Sequence, residues 1–466
     1  MSERKQLSWS LIGSISNAIL QVLQISILAR MLSPSEFGYY AICTLVIGLG
    51  ALFAQSGIGN AIIKQKTFTS NQACSVFWFN LFISIIIFIF ICCLSYPIEI
   101  YFELEGLWSL ILLSALAIPI LSSARICKAV LQRNLKLNLI AKAEIISRIF
   151  GVIIAIFVAV NNGGVYAMIY GNIAWAISLF VLLRYFTWND FKVNNGFRIS
   201  DVQPLIRFSV IQLFELLLNY FSKNLDIIFI TKVLGADAAG GYSVLKGLLF
   251  RVADVIYPAL NSYFYPKMSS HQDDEKHLID VYRRFFKLSL ILITFSYLIV
   301  ALNSVFIIDL LLGDNFHSVV NLVPLFCLWL AIRYSSATVS TLWLVKNKPE
   351  FGIYWNTFSL LLLSITIFLV SNGDLEVLIG AFVILHFCYF FISLLIERTL
   401  FSCEDHKVTS KINWFFCVLS LSVLIYHVIH VNLYYPIHVL FFSLLLAAVF
   451  TIGLWMKRHI FLEGEV

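Results

Sequence analysis

The chain has 466 residues, of which 60% are hydrophobic and only 12% are charged, with a net charge of +6 and a mean hydropathy of +0.89. Soluble domains carry about 25% charged residues, so this composition excludes a soluble protein of ordinary surface polarity. The Lys and Arg residues are spread among short loops rather than gathered on one basic face, which excludes nucleic acid as a partner.

Apolar runs, taken in chain order, predict fourteen transmembrane helices. Each run has about 20 residues, the length that an α-helix needs to cross the hydrocarbon core of a bilayer. The predicted spans are 8–30, 38–62, 75–97, 106–127, 144–161, 164–186, 204–232, 238–264, 285–304, 317–345, 351–371, 374–397, 412–430 and 435–456. The sequence therefore predicts an all-α integral membrane protein.

The basic residues between these spans predict the orientation of the chain. With the N-terminus inside, 26 of the 32 Lys and Arg residues fall in inner segments, and only Arg30 and Lys232 fall in outer loops. This asymmetry is the positive-inside rule, and one missed or extra helix would reverse it for every later loop. Both termini are therefore predicted to be cytoplasmic.

The sequence repeats itself at a spacing of 202 residues. Arg30–Ile42 aligns without gaps on Lys232–Val244, and Gly38 and Gly240 are among the identical pairs. Each copy contains six predicted spans, an even number, so the copies face the same way and are related by a pseudo-two-fold axis along the membrane normal. The predicted divisions are a six-helix bundle in 1–200, a second in 201–400, and two appended helices in 401–466.

Seven ionisable residues fall inside predicted spans 7, 8 and 10. A charge at the bilayer centre costs about 2.5–3.5 kcal/mol on insertion scales, so seven of them cannot all face lipid. They must face one another or a water-filled cavity. These residues are Glu215, Lys223, Asp226, Lys246, Arg251, Asp254 and Arg333.

Helical phase places polar residues of spans 1 and 7 on matching stripes, each about 80° wide. The 202-residue offset superposes Asn17, Gln21 and Gln24 of the first stripe on Asn219, Lys223 and Asp226 of the second. We interpret both stripes as the lining of a central cavity between the halves, neutral in the first half and charged in the second. The alternative interpretation is that i,i+3 ion pairs, Lys223 with Asp226 or Arg251 with Asp254, simply link helices.

Four cations against three carboxylates favour an anionic substrate, and the arginine fork suits phosphate. The predicted substrate-binding residues are Asn17, Gln21, Gln24, Asn219, Lys223, Lys246, Arg251 and Arg333, and the predicted ion-coupling residues are Glu215, Asp226 and Asp254. His386 in span 12 is either a proton relay or, as we prefer, a buried hydrogen-bonded histidine.

No nucleotide-binding loop, H-E-x-x-H or G-x-S-x-G motif occurs. We therefore predict no catalytic residue, no metal site and no cofactor, and we expect movement of the substrate to draw on an ion gradient, a substrate gradient or a partner. Coupling to H+ or Na+ is the form that we consider.

Several segments resemble polysaccharide-export flippases of the Wzx type, in the polysaccharide transporter family of the multidrug/oligosaccharidyl-lipid/polysaccharide (MOP) exporter superfamily. The resemblance lies in the outer turn Ala-Arg-Met-Leu-Ser-Pro-Ser-Glu-Phe-Gly-Tyr-Tyr-Ala at 29–41, in 55–64, and in 224–235 with Gly241-Tyr242 and Tyr265-Pro266. These motifs are concentrated in spans 1–2 and 7–8.

The resemblance implies a pair of six-helix bundles that work by alternating access in a bacterial inner membrane. The cargo would be an undecaprenyl-pyrophosphate-linked oligosaccharide, such as a repeat unit of O-antigen, capsule or exopolysaccharide. The family's cationic cavity would fall on Lys223, Lys246, Arg251 and Arg333. Membrane lipid, a glycan polymerase and a chain-length regulator are the further partners that we consider.

Two other functions remain open. The same fold could serve a small-molecule or drug antiporter of the MATE type, although a net-cationic cavity disfavours cationic drugs. A membrane glycan polymerase or glycosyltransferase would need a sizeable catalytic loop, and every predicted outer loop is short.

Overall fold

The structure is a computed structural model that describes residues 3–55, 70–190, 198, 203–348, 350–371 and 373–401. Within these ranges every regular element is a helix, and no strand occurs. The helices are α1 Glu3–Ala29, α2 Pro34–Gln55, α3 Ser70–Phe102, α4 Leu107–Ala115, α5 Ala117–Arg133, α6 Leu137–Val160, α7 Tyr166–Phe186, α8 Gln203–Ser269, α9 Glu275–Leu302, α10 Ser304–Leu311, α11 Leu322–Ser336, α12 Thr338–Val345, α13 Glu350–Leu369 and α14 Leu375–Leu400. A short 3-10 helix, Asp314–Val319, follows α10.

In the described part of the chain, nine helical segments are long and apolar enough to cross a membrane. They are Pro34–Phe53, Gln72–Phe102, Leu107–Arg133, Leu137–Val160, Tyr166–Phe186, Glu275–Leu302, Leu322–Val345, Glu350–Leu369 and Leu375–Glu397. Helix α1 contributes a shorter apolar stretch, Ile15–Ala29, and α8 is not among the nine, although predicted spans 1, 7 and 8 fall on these two helices. The chain is thus a multi-pass membrane protein, as predicted.

Several details of the prediction lie beyond what the structure describes. Predicted spans 13 and 14, and the appended region 401–466, fall outside the described residues, so the count of fourteen and the side of each terminus stay predictions. The division at 200 and 400 also stays a prediction. Contacts group the described residues into one unit of Met1–Leu248, Leu311–Phe316 and Ile353–Leu375, and a second of Leu249–Leu310, His317–Gly352 and Glu376–Val466.

Each unit has its own apolar core. In the first, α3, α5, α6 and α7 bury a cluster that includes Val76, Cys127 and Leu183. In the second, α9 packs against α11 and α12, where Phe285 and Phe326 are fully buried. Helix α13 instead exposes large apolar side chains, such as Phe368, which is 77% exposed. Such a face is typical of a helix surrounded by lipid.

Helix α8 consists of two arms that meet at Gly235. This residue has φ 83° and ψ 179°, a conformation that excludes residues with a Cβ, and it interrupts an otherwise helical run from Gln203 to Ser269. Asp226 and Lys246 lie on opposite sides of Gly235 and form a salt bridge, whereas in a straight helix they would be about 30 Å apart. The arms therefore fold back on one another. Predicted spans 7 and 8 left residues 233–237 between them. In the structure, only Gly235 departs from helical geometry at this turn.

The turns of the two repeats contact each other through reciprocal glycines. A Cβ on Gly38 would overlap the carbonyl oxygen of Ala236, and a Cβ on Gly240 would overlap the carbonyl oxygen of Pro34. Ala236 and Gly240 stand 202 residues after Pro34 and Gly38. Such a reciprocal contact is the one that a two-fold relation between copies requires. The pseudo-two-fold relation between the two predicted halves stays a prediction.

The equivalent positions 33 and 235 interrupt the helices in different ways. Ser33 and Glu36 form a capping box at the start of α2, in which the Ser33 N–H donates to Glu36 Oε2 at 2.7 Å. Position 235 instead uses the left-handed glycine. Lys232 then donates to Glu103 Oε1 at 2.7 Å, and this hydrogen bond lowers the pKa of Glu103 below its ordinary value.

Candidate functional site

A buried ion pair joins the two arms of α8. Lys246 Nζ lies 2.8 and 2.6 Å from the two carboxylate oxygens of Asp226, and it also donates to the backbone carbonyl of Lys223 at 2.6 Å. Asp226 accepts further hydrogen bonds from the Tyr242 hydroxyl and from the Ile227 N–H. Asp226 is 5% exposed, so these contacts are sheltered from solvent. We call Asp226, Tyr242 and Lys246 the α8 clamp.

The clamp differs from the pairing that the sequence suggested. Helical spacing offered Lys223 at i,i+3 as the partner of Asp226, but the structure pairs Asp226 with a lysine 20 residues further along. The side chain of Lys223 is exposed, and that of Asn219 is partly buried on the same arm. The backbone at Glu215 is helical, while its side chain lies outside what the structure describes.

The stripe on α1 meets an arginine that the sequence analysis placed elsewhere. Arg148 Nε donates to Asn17 Oδ1 at 2.9 Å, and Gln21 donates to the same oxygen at 3.4 Å. The guanidinium lies 4.2 Å from the ring centroid of Trp175, a cation–π contact. Gln24 is partly buried further along the stripe.

Arg148 corrects the prediction of a neutral stripe in the first half. The predicted span began at 144, after Lys142, and Arg148 was counted with the inner loops, but α6 begins at Leu137 and holds Arg148 halfway along its length. Earlier turns of α6 accommodate charge because Glu144 pairs with Lys128. If the predicted helix had begun at Leu137, Arg148 would have been placed near the middle of the span.

Arg333 lies halfway along the span formed by α11 and α12. Its Nη1 is 3.3 Å from Nε2 of His386, and its guanidinium carbon lies 5.7 Å from the ring centroid of Phe250. Among the described residues, no carboxylate forms a salt bridge with Arg333. Both recorded partners of this cation are therefore neutral.

The break between α11 and α12 lies four residues after Arg333. The Tyr257 hydroxyl donates to the backbone carbonyl of Ala337 at this break, at 2.7 Å. The same carbonyl also accepts from the N–H and the hydroxyl of Ser340. Tyr257 comes from the second arm of α8, so this hydrogen bond fixes that arm beside α11.

Arg251 and Asp254 belong to the second arm of α8. Asp254 is exposed, and it accepts a hydrogen bond from the Tyr334 hydroxyl at 3.2 Å. Arg251 is partly buried. Together with Arg333 and His386, these residues lie in the second unit, whereas the clamp and the α1 stripe lie in the first. The single cavity that the sequence suggested for all of them stays a prediction.

Comparison with known proteins places this arrangement in a family. A model of the polysaccharide biosynthesis protein family matches residues 27–321. The chain is 26% identical over 391 residues to an uncharacterized membrane protein in the cps region of Klebsiella pneumoniae, covering 81% of this chain and 78% of that protein. It is 22% identical over 351 residues to the lipopolysaccharide biosynthesis protein WzxC of Escherichia coli (strain K12), covering 75% and 71%.

Solved structures share the fold. The lipid II flippase MurJ in an inward closed conformation matches with a TM-score of 0.69 at 15% identity, over 98% of this chain and 100% of that one. An inward-facing MATE transporter of the MOP superfamily matches with a TM-score of 0.60 at 13% identity, over 84% and 94%. The predicted resemblance is confirmed: the fold is that of MOP transporters, and the chain belongs to the family of polysaccharide biosynthesis proteins.

Proposed function

We propose that this protein is a flippase that carries a polyprenyl-pyrophosphate-linked oligosaccharide across the bacterial inner membrane by alternating access. It acts as a transporter and not as an enzyme. Its family, the name of its relative WzxC and the fold shared with the lipid II flippase MurJ support a lipid-linked glycan as the cargo. The particular glycan would be set by residues that contact the sugar.

The observation that carries the proposal is the position of Arg333, halfway along a membrane span. A guanidinium halfway along a membrane span is expensive unless it faces water, a ligand or a counter-charge. Its recorded partners, His386 and Phe250, are neutral. The positive charge therefore remains to attract an anion, and the planar fork of arginine matches the oxygens of a pyrophosphate.

The other polar residues take different roles in this proposal. In the second unit, Arg251 is a further candidate contact for the anionic lipid, and in the first unit Lys223 and the Asn17–Arg148 group are candidate polar contacts. Lys246 is assigned to the α8 clamp, because its three donors already contact Asp226 and the Lys223 carbonyl. Asp226 is likewise satisfied, so we assign ion coupling to Asp254, which is exposed and accepts a single recorded hydrogen bond.

The test is the substitution of Arg333 by Ala and by Lys in a strain whose own copy of the gene is deleted. We expect Arg333→Ala to reduce surface polysaccharide at least about tenfold, because a buried charged hydrogen bond to the headgroup is lost. Arg333→Lys should retain part of the activity, since it keeps the charge but loses the fork. Surface glycan and the amount of membrane-inserted protein are both measured.

The matched control is Arg283→Ala. Arg283 lies near the start of α9 and contacts Asp280 at 3.5 Å, away from the middle of any span, so export should stay at the level of the unaltered protein. Normal export by Arg333→Ala, with equal amounts of inserted protein, would contradict the proposal.

The fold shared with a MATE transporter favours one second function, ion-coupled export of small molecules. The clamp weakens this alternative, since Asp226 has no acceptor position left for a cationic drug. A deletion strain with altered drug susceptibility and unchanged surface glycan would establish the alternative instead.

A further inference from the structure

His386 on α14 lies within a buried cluster of side chains from two helices. The residue is 6% exposed. Its Nδ1 is 2.9 Å from the carbonyl oxygen of Phe382 and 3.0 Å from Nε1 of Trp329. On the other side of the ring, Nε2 is 3.3 Å from Nη1 of Arg333. The imidazole therefore stands directly between a backbone carbonyl and the arginine.

The charge of Arg333 determines which nitrogen of His386 carries the proton. A guanidinium only donates hydrogen bonds, so the nitrogen that faces it must offer a lone pair. The indole N–H of Trp329 is also only a donor and points at Nδ1 at 3.0 Å, so each neutral tautomer opposes one donor. The charge-assisted contact with Arg333 is the stronger of the two, so the proton is placed on Nδ1, where the Phe382 carbonyl accepts it. A second proton on Nε2 would set a charged ring against the guanidinium of Arg333. The geometry thus selects a neutral ring with Nε2 as acceptor.

A neutral acceptor orients an arginine without cancelling its charge. A carboxylate in this place would form an ion pair with Arg333, and an incoming anion would have to break that pair. The ring of Phe250 also contacts the guanidinium without adding a counter-charge. Both neighbours fix the position of the cation and keep its charge for a ligand.

We infer that His386 is a positioning residue that holds the Arg333 guanidinium ready for the pyrophosphate group of a polyprenyl lipid. This inference rests on the proposed function, because it requires Arg333 to bind the headgroup. It adds a requirement that the proposed function lacks: the residue at 386 must accept a hydrogen bond and must be uncharged.

The experiment measures binding of farnesyl pyrophosphate to the purified full chain in lipid nanodiscs by calorimetry, with farnesol as the uncharged control. His386→Phe keeps an aromatic ring and removes the acceptor, and we expect it to weaken farnesyl pyrophosphate binding about tenfold. His386→Gln keeps a neutral acceptor and should bind within about threefold of the unaltered chain. His386→Glu keeps the acceptor but adds a negative charge, and it should bind most weakly. Farnesol binding should be the same in all variants.

The outcomes separate this inference from the proposed function. Loss of binding in Arg333→Gln, with full binding in His386→Phe, would overturn the positioning role alone. Equal weakening in His386→Gln and His386→Phe, or equal binding in His386→Gln and His386→Glu, would also overturn it. Full binding in Arg333→Gln would overturn the headgroup assignment of the proposed function. Thermal unfolding midpoints identify any variant that has lost its fold, and His386→Glu and His386→Gln keep the comparison decisive if His386→Phe does not fold.

Discussion

Asp226 and Lys246 show how one residue pair can shape a whole hairpin. Each enters the apolar interior as a charge, and each is satisfied by the other and by nearby Tyr242 and backbone groups. Breaking such a buried pair leaves an uncompensated charge, which typically costs about 3–5 kcal/mol, whereas replacing both partners with neutral groups costs far less. We therefore interpret the pair as a structural link that holds the two arms of α8 together.

This difference predicts a double-mutant result at the residue scale. Asp226→Asn and Lys246→Met alone should each lower the free energy of unfolding by about 3–5 kcal/mol, and the double substitution should recover most of that loss. Unfolding of the purified protein in detergent measures all three. Lys232→Met is the control, since its partner Glu103 is 79% exposed, and its effect should be small. Single variants that lose export while keeping full stability would instead indicate a substrate-binding role.

At the scale of elements, the contact between the two repeat turns depends on the absence of two side chains. The backbone of α2 meets that of α8 at Gly38 and Gly240, close enough that any Cβ would displace a carbonyl group. The segment after α10 adds to this contact, since Asn315 donates to the carbonyl of Ala29 at 3.2 Å and Phe316 packs edge-on against Phe37. These turns lie on the predicted outer side, where the proposed alternating access would need a contact that opens and closes.

We predict that Gly38→Ala and Gly240→Ala each reduce surface polysaccharide by at least about tenfold, because the turns can no longer close against one another. The control is Gly247→Ala, also in α8, where an added Cβ meets nothing within 4 Å. That substitution should leave export unchanged and should stabilise the helix by about 0.5–1 kcal/mol. Surface glycan and thermal unfolding are measured for all three, and equal export by Gly38→Ala and Gly247→Ala would contradict the role of the contact.

For the whole molecule, hydropathy and loop charge predict more of the structure than they do of the site. Within the described residues, the predicted spans up to 397 fall on helices, because an apolar run of this length has no other stable form in lipid. Arg148 was missed because charged residues early in α6 resemble a loop in a hydropathy plot. The partners Asp226–Lys246 and Arg333–His386 were missed because they depend on how helices pack, which a helical wheel of one helix does not contain.

The orientation of the whole chain gives a further prediction. Single cysteines are placed at exposed turn residues in a chain that lacks its nine native cysteines. Glu105→Cys and Asn161→Cys should react with a membrane-impermeant maleimide in intact spheroplasts, whereas Ser270→Cys and Lys348→Cys should react only after the membrane is opened. Labelling of position 270 from outside would show that the span count before it is wrong by an odd number.

The α8 clamp also has a consequence for the insertion of the chain into the membrane during its synthesis. Asp226 leaves the ribosome 20 residues before Lys246, so the first arm reaches the translocon carrying a carboxylate whose counter-ion has not yet been synthesised. A single arm is a poor substrate for lateral release into lipid, and the neutralised hairpin is a better one. The turn at Gly235 lets both arms partition together, which makes the hairpin the natural unit of membrane integration.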